Sequence, residues 1–150
     1  MRSITTHVAC ALLALAALLP AGARAEQSVS VGPYTVHYNA LSTDVLLPEV
    51  AQRYGIARSK SQALLNVAVL KNVAGTAAQP VTAKVEAHAR NLNNQLATIE
   101  MREVRDQGAI YYLGATRVTD ADTLIFTIDV VPEGQGEATR VEFRQQFFTK

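Results

Sequence analysis

Residues 34–55 read YTVHYNALSTDVLLPEVAQRYG, and this stretch joins the two local patterns that decide the fold. In its first part Tyr34, Val36 and Tyr38 fall on one side of an extended chain, and polar residues alternate with them. A period of two predicts a strand with one buried face. The alternation then stops over residues 41–62. Because long loops without internal structure are uncommon in compact domains, this segment is predicted to hold structure, function or both.

The segment at 48–54 is predicted to form a helix of about two turns. Pro48 suits the first helical position, where its missing N–H is no loss. Glu49 lies in the first turn, where the helix dipole favours an acid, and an ion pair with Arg53 four residues later is predicted. Gly55 stands where a left-handed cap residue belongs. The apolar stripe of this helix consists of Val50, Ala51 and Tyr54.

Residues 63–71, ALLNVAVLK, are apolar on both faces and predict a strand that is covered on both sides. One face is expected to enter the main core through Leu65, Val67 and Val69. The opposite face needs a second cover, and the short helix just before the strand is the nearest candidate. The residues predicted to lie under that helix are Leu64, Ala68 and Leu70.

Five further stretches carry strand patterns separated by turn signals: residues 81–90, 95–105, 109–117, 124–130 and 140–147. The alternation breaks near the end of the second of these stretches, and a β-bulge near Arg102 and Glu103 would restore it. Seven strands with frequent turns predict an all-β fold. We expect a seven-stranded antiparallel immunoglobulin-like β-sandwich with one short α-helix, and a closed barrel is the alternative.

The first twenty-five residues have the composition of an export signal. Arg2 gives a positive start, residues 8–19 are apolar, and Ala23-Arg24-Ala25 has the small-x-small form of a cleavage site, so cleavage is predicted after Ala25. The apolar run is shorter than the roughly 20 residues that a membrane-spanning helix needs. The predicted mature protein is therefore one β-sandwich domain of residues 26–150, exported to the periplasm without a membrane span.

Cysteine content and charge narrow the range of partners. Cys10 is the only cysteine, and it lies inside the apolar run, where it could not serve as a lipid-modified terminus. It leaves with the signal, so neither a disulfide nor a thiol nucleophile is expected. Loss of Arg2 and Arg24 takes the formal net charge from +1 to −1. A near-neutral chain without basic clusters is not expected to bind nucleic acid or an anionic membrane.

Signatures of catalysis and metal binding are weak in this sequence. His37 and His88 fall on different predicted strands, and neither occurs in a nucleophile elbow or at metal-ligand spacing. Asp120, Asp122 and Asp129 lack the glycine and the terminal glutamate of an EF-hand loop. No catalytic residue, metal site or cofactor is therefore predicted.

Polar and aromatic side chains concentrate in and beside the segment at 41–62, which makes it the candidate binding surface. The residues proposed to bind a partner or ligand are His37, Glu49, Tyr54 and Arg58. The preferred hypothesis is a non-enzymatic binding or envelope-assembly module whose partner is an envelope protein or a small ligand. The partner would use this loop or add a strand at an exposed sheet edge. The alternative is a small hydrolase or metal-dependent enzyme with a site assembled from His37, Glu49 and Arg58.

Three stretches resemble a known protein family. They are YTVHYNALSTDVLLPEVAQRYGIARSKSQALLNVAVL at 34–70, REVRDQGAIYY at 102–112, and the FRQQFF that ends at Phe148. The sequence is similar to a family of small exported proteins of Gram-negative bacteria, known as domain of unknown function 4426, over nearly all of the mature chain. The core PEVA-x-x-YGI-x-RS is the most specific part. The resemblance implies a periplasmic location and a single β domain, and it transfers no catalytic residue.

Overall fold

The computed structural model describes residues 27–150, so the predicted signal segment and its cleavage site after Ala25 lie outside the described residues. The described chain forms one α-helix and ten strands: β1 (Gln27–Val31), β2 (Tyr34–Ser42), α1 (Pro48–Tyr54), β3 (Gln62–Lys71), β4 (Gln79–Pro80), β5 (Ala83–Asn91), β6 (Leu96–Ile99), β7 (Arg102–Asp106), β8 (Ala109–Arg117), β9 (Asp122–Pro132) and β10 (Thr139–Phe147). A 3-10 turn at Thr43–Val45 precedes α1. Within residues 27–150 no helix is long and apolar enough to cross a membrane.

The strands form two antiparallel sheets. The first sheet has the order β1-β2-β3-β8-β7, with β4 paired to the end of β3, and the second has the order β10-β9-β5-β6. The succession β2-β3-β8-β7 corresponds to the A-B-E-D order of an immunoglobulin domain, and β10-β9-β5-β6 corresponds to G-F-C with one added strand. The predicted all-β, immunoglobulin-like sandwich is therefore confirmed. The closed-barrel alternative is wrong, because the two sheets keep separate edges.

The core lies between the sheets and follows the alternation of the sequence. The first sheet fills it with the predicted residues, which are 0% exposed: Leu65, Val67 and Val69. From the second sheet, Phe126 stacks on Phe143 with ring centroids 5.0 Å apart. Tyr38 of β2 lies 4.9 Å from the Phe143 ring, so an aromatic contact joins the two sheets.

The stretch at 95–105 differs from the prediction of a single bulged strand. It forms β6 in the second sheet and β7 in the first, and the chain crosses between the sheets at Glu100 and Met101. The bulge predicted near Arg102 and Glu103 is therefore wrong. The break in alternation that suggested it is the crossing itself, since the two halves of the stretch belong to different sheets.

The crossing segment passes close to β8 at Gly114. A Cβ atom on this residue would lie 2.6 Å from Ile99 Cγ2 and 2.8 Å from the Glu100 carbonyl oxygen, so only glycine fits there. The divided stretch, together with β1 and β4, raises the number of strands from the predicted seven to ten.

Helix α1 confirms the prediction for residues 48–54. It ends at Gly55, whose backbone is left-handed with φ 63° and ψ 38°. Beyond it, the Ile56 N–H donates to the Ala51 carbonyl at 2.8 Å, which satisfies one of the last helical carbonyls. No side chain caps the start of the helix, because Leu47 occupies the N-cap position.

The ion pair predicted within α1 is wrong. Arg53 lies 3.6 Å from the carboxylate of Asp106 on β7, and this contact takes the place of the predicted pair with Glu49. A helix that packs on a sheet meets carboxylates from other strands, and here such a contact replaces the pairing within the helix.

The outer face of β3 is covered unevenly. Leu64, at the start of the strand, is 5% exposed, whereas Ala68 and Leu70 farther along are half-buried. The residues that follow the helix, 55–57, line one cavity together with Leu64. Leu64 is therefore buried as predicted, but the residues beside it are those that follow the helix, and the rest of this face is only partly covered.

Candidate functional site

Residues 43–61 connect β2 to β3 and carry α1; we call them the 43–61 loop. Its two ends meet at Thr43, which is 0% exposed. The Thr43 hydroxyl donates to the Ser59 carbonyl at 3.0 Å and accepts from the Ser59 N–H at 2.9 Å. The Ser61 carbonyl accepts from the Val118 N–H at 3.0 Å, which ties the loop to the turn before β9. The 43–61 loop is therefore a structured part of the fold.

The end of α1 is held against β7 by three polar contacts. The Tyr54 hydroxyl donates to Oδ2 of Asp106 at 2.7 Å, and Nη1 of Arg53 lies 3.6 Å from the same oxygen. The Arg102 guanidinium donates to the Tyr54 carbonyl. The hydrogen bond to Asp106, with some burial, raises the pKa of Tyr54 above its ordinary value, so the hydroxyl stays protonated at neutral pH.

A cavity of about 260 Å³ lies between the residues after α1 and the outer face of β8; we call it the loop cavity. Two buried leucines, Leu64 on β3 and Leu113 on β8, supply much of its apolar wall. Glu100 and Arg102 bring opposite charges from the segment that crosses between the sheets. The other lining residues are Gly55, Ile56, Ala57, Gln62, Gly114 and Ala115.

A row of polar side chains flanks the loop cavity on the outer face of the first sheet. Asn39 lies opposite Asn66 in the register, and Asn66 lies opposite Leu113. The Oδ1 atoms of both asparagines are buried and accept no hydrogen bond from residues 27–150. Buried oxygen atoms without a hydrogen-bond donor are uncommon in stable folds, so two of them on adjacent strands are an unusual feature of this face.

None of the four predicted site residues lines the loop cavity. Tyr54 anchors the helix to β7. Nη2 of Arg58 donates to the carbonyl of Asp44 at 2.7 Å, across the base of the loop. Glu49 is exposed on α1, and His37 is half-buried on β2, opposite Ala68 in β3.

Sequence reasoning missed the residues that form the cavity wall. Glu100 and Arg102 were hidden because they belong to the crossing, which the sequence presents as one continuous strand. Leu113 could have been predicted as a covered residue, because the stretch at 109–117 is apolar on both faces and its outer face therefore needs a cover.

The two histidines of the described chain lie on opposite sides of the sandwich. His37 points outward from the first sheet, because its neighbours Val36 and Tyr38 face the core. His88 points outward from the second sheet, between the inward residues Ala87 and Ala89. Among residues 27–150 no group of three or more His, Cys, Asp or Glu side chains could hold a metal ion.

Comparison with known sequences and structures adds a family and a fold. The family described as "Domain of unknown function (DUF4426)" matches residues 28–150. A crystal structure of a DUF4426 family protein from Pseudomonas aeruginosa PAO1 is 34% identical, with a TM-score of 0.70, over 83% of this chain and 96% of that one. No curated protein matches the sequence.

Two more distant structures share the fold. FetP of uropathogenic Escherichia coli strain F11, expressed in the periplasm, is 10% identical with a TM-score of 0.59, over 84% of this chain and 95% of that one. A copper-bound variant of FetP from the same strain is 9% identical with a TM-score of 0.57, over 83% and 96%. At this level of identity the likeness extends to the fold alone.

Proposed function

The chain belongs to the DUF4426 family, and we propose that it is an exported, non-enzymatic binding or assembly module of the cell envelope. The observation that carries this proposal is the loop cavity, which is walled on one side by the 43–61 loop and on the other by the rigid face of β8. Binding sites on rigid β scaffolds are commonly built from one elaborated loop in this way.

The size of the loop cavity favours a side chain of a partner protein over a free small molecule. Its volume of about 260 Å³ is below the roughly 300–1,000 Å³ of most small-molecule sites. Leu64 and Leu113 offer an apolar surface to such an anchor. Glu100 and Arg102 beside them can bind the amide groups of the main chain that carries it.

The start of the 43–61 loop carries two exposed apolar side chains of its own. Val45 is 66% exposed and Leu47 is 61% exposed, on the segment that leads into α1. Large apolar side chains at such exposure are common as single residues, but two on one structured loop favour contact with another protein.

The location of the protein in the periplasm is part of the same proposal. It rests on the export-signal composition of residues 1–25. The fold relative FetP was likewise produced by recombinant expression in the periplasm. Release of a mature chain that begins after Ala25 can be measured by mass spectrometry of the periplasmic fraction.

Affinity capture from envelope extract tests the proposed function. The tagged protein is expected to recover a partner that is lost when Tyr54→Ala and Arg58→Ala are combined. A sharper variant is Ala115→Phe, because Ala115 lies on β8 and lines the loop cavity, so a phenyl ring would fill the cavity while every residue of the 43–61 loop is kept. Its matched control is Ala138→Phe, at an exposed site before β10. A partner that binds the purified Ala115→Phe protein as tightly as the unmodified one would refute the assignment.

Thermal unfolding with added ligands separates this function from the enzymatic alternative. Zinc, calcium, copper and a panel of carbohydrates are expected to leave the melting temperature unchanged, since a ligand that binds only the folded state raises it by mass action. A saturable shift that disappears with His37→Ala, but not with His88→Ala, would instead favour a site at His37.

A further inference from the structure

The two sheets of the sandwich differ in width, and the difference leaves one strand overhanging at each side. At one side β2 faces β10, as the contact between Tyr38 and Phe143 shows. At the other side β8 faces β6, where Ile99 packs on Gly114. The first sheet continues past these pairs with β1 and with β7, and within residues 27–150 the second sheet has no strand opposite either of them.

The two overhanging strands have opposite chemistry on their inward faces. On β7 the inward residues are Glu103 and Arg105, which face water and discourage the addition of another strand. On β1 the inward residues are Gln27, Val29 and Val31, which lie opposite Tyr38, Val36 and Tyr34. Both valines are half-buried, and β1 contains no charged residue. The apolar surface under β1 is therefore only partly covered.

The edge of the second sheet beside this surface is open. Strand β10 has nine residues, contains no proline, and pairs only with β9 among the described strands. Its N–H and C=O groups on the other side are available to a further strand. We call the space between this edge and the inward face of β1 the β10 slot.

We propose that the β10 slot binds one extended segment of a partner polypeptide with apolar side chains at alternate positions. The segment would pair with β10 as a fifth strand of the second sheet, and its inward side chains would pack under Val29 and Val31. Its outward side chains would lie beside Arg140, Glu142 and Arg144, so polar residues are expected there. This interface lies on a different part of the molecule from the loop cavity.

The unequal sheets also argue against a second copy of the chain in this place. Neighbouring strands lie about 4.8 Å apart, so β1 overhangs by the width of one strand. If β10 paired with β10 of another copy, β1 of each copy would occupy the position that β2 of the other already fills. A single donated strand fits the slot without this collision.

A synthetic peptide tests the proposal on the exported protein purified from the periplasm. The probe has nine alternating valine and threonine residues, flanked by lysines for solubility and labelled for fluorescence anisotropy. Saturable binding is expected, together with slower amide hydrogen exchange at alternate residues of β10, measured by NMR. The same peptide N-methylated on its pairing edge is expected not to bind, because it lacks the donors of the ladder.

Variants test the contribution of β1. Val29→Lys combined with Val31→Lys is expected to weaken binding of the peptide about tenfold, the effect of losing roughly one buried apolar side chain. Val73→Lys is the matched control, since Val73 is a partly exposed valine on the loop between β3 and β4. The exchange measurement uses the unmodified protein and stands even if the double variant unfolds.

Three outcomes would overturn the proposal. The first is absence of binding. The second is protection from exchange at β1, β6 or β7 in place of β10, which would put the added strand at another edge. The third is concentration-dependent dimerisation that competes with the peptide, which would assign the slot to a second copy.

Discussion

The outer faces of the two sheets differ in how they meet water. The first sheet has apolar residues on its outer face, and the 43–61 loop lies over Leu64 and lines a cavity with Leu113. The second sheet has a charged row in which Glu86, Asp129 and Arg140 lie side by side on adjacent strands. A charged face needs no cover, whereas an apolar face does. The covering loop and the cavity beneath it therefore belong to the sheet with the apolar outer face.

The outer face of the second sheet also carries apolar residues, and the buried one among them is covered by different means. Ile125 lies between Arg90 and Arg144 in the register and is only 5% exposed. Arginine side chains can lie along apolar surface while their charged ends stay in water. We infer that the flanking arginine side chains cover Ile125 on the second sheet, whereas backbone tied by hydrogen bonds covers Leu64 on the first.

The largest effect on stability is expected from variants that test how rigid the two covers are. Leu64→Ala is expected to lower the free energy of unfolding by about 3 kcal/mol, because the tied loop cannot close the space that is left. Ile125→Ala is expected to cost about 2 kcal/mol, since the arginine stems beside it can settle into the gap. Urea denaturation of both variants measures the two costs. An Ile125→Ala cost equal to or above that of Leu64→Ala would show that the two covers are equally rigid.

Elements that depend on neighbouring residues in the sequence were predicted correctly. Elements that depend on contacts between distant residues were not. Pro48 and Gly55 mark the helix because a first-turn proline and a left-handed glycine act through their own backbone. The sequence could not show that the chain crosses between the sheets at 100–101, because a β-bulge and a change of sheet shift the alternation of apolar residues in the same way. A bulge and a change of sheet differ only in the strands with which each half of the stretch pairs, and this pairing is known only once the fold is known.

The candidate site depends more strongly on such distant partners. The loop was predicted as the binding surface, and the cavity does lie along it. Its charged wall comes from Glu100 and Arg102, which reach the loop only through the crossing. The Tyr54 hydroxyl likewise bonds Asp106, 52 residues away in the chain. No pattern of spacing within one sequence predicts contacts of this kind.

A smaller effect is expected from the hydrogen bond that holds the cover in place. Tyr54→Phe removes the donor to Asp106 and is expected to cost about 1 kcal/mol at pH 7, because the bond is partly exposed and screened by solvent. The pKa of Tyr54 is raised above 10.0 in the folded protein, first by this hydrogen bond and then by burial. The stabilisation is therefore complete below pH 10 and is lost as the pH rises through the folded value.

Urea denaturation of the unmodified protein and Tyr54→Phe at pH 7 and above pH 10 measures this contribution. The two proteins are expected to differ at pH 7, and the difference is expected to shrink as the pH is raised above 10. Tyr111→Phe is the matched control, because Tyr111 is a half-buried tyrosine on the neighbouring strand β8. A difference for Tyr54→Phe that does not shrink at any pH above 10 at which both proteins stay folded would mean that the hydroxyl does not act through its proton.

The smallest effect is expected on the charged face. Arg140 donates to both carboxylate oxygens of Asp129, at 2.8 and 3.0 Å, and these bonds lower the pKa of Asp129 below 3.8. A lowered folded pKa means that the stabilisation is present above about pH 4 and is lost as the pH falls through the folded value. Arg140→Gln is therefore expected to reduce the urea midpoint at pH 7 by less than Tyr54→Phe does.

The effect of Arg140→Gln is expected to be small because the ion pair is exposed to solvent. The Arg140 side chain is 70% exposed, so water and salt screen the pair, and 0.5 M NaCl is expected to shrink the effect further. Arg117→Gln is the matched control, because Arg117 is an exposed arginine at the end of β8. If Arg140→Gln lowered the stability more than Tyr54→Phe does, or still lowered it below pH 3, the pair of Arg140 and Asp129 would be an important structural ion pair. The second sheet would then depend on its outer face as the first sheet depends on the 43–61 loop.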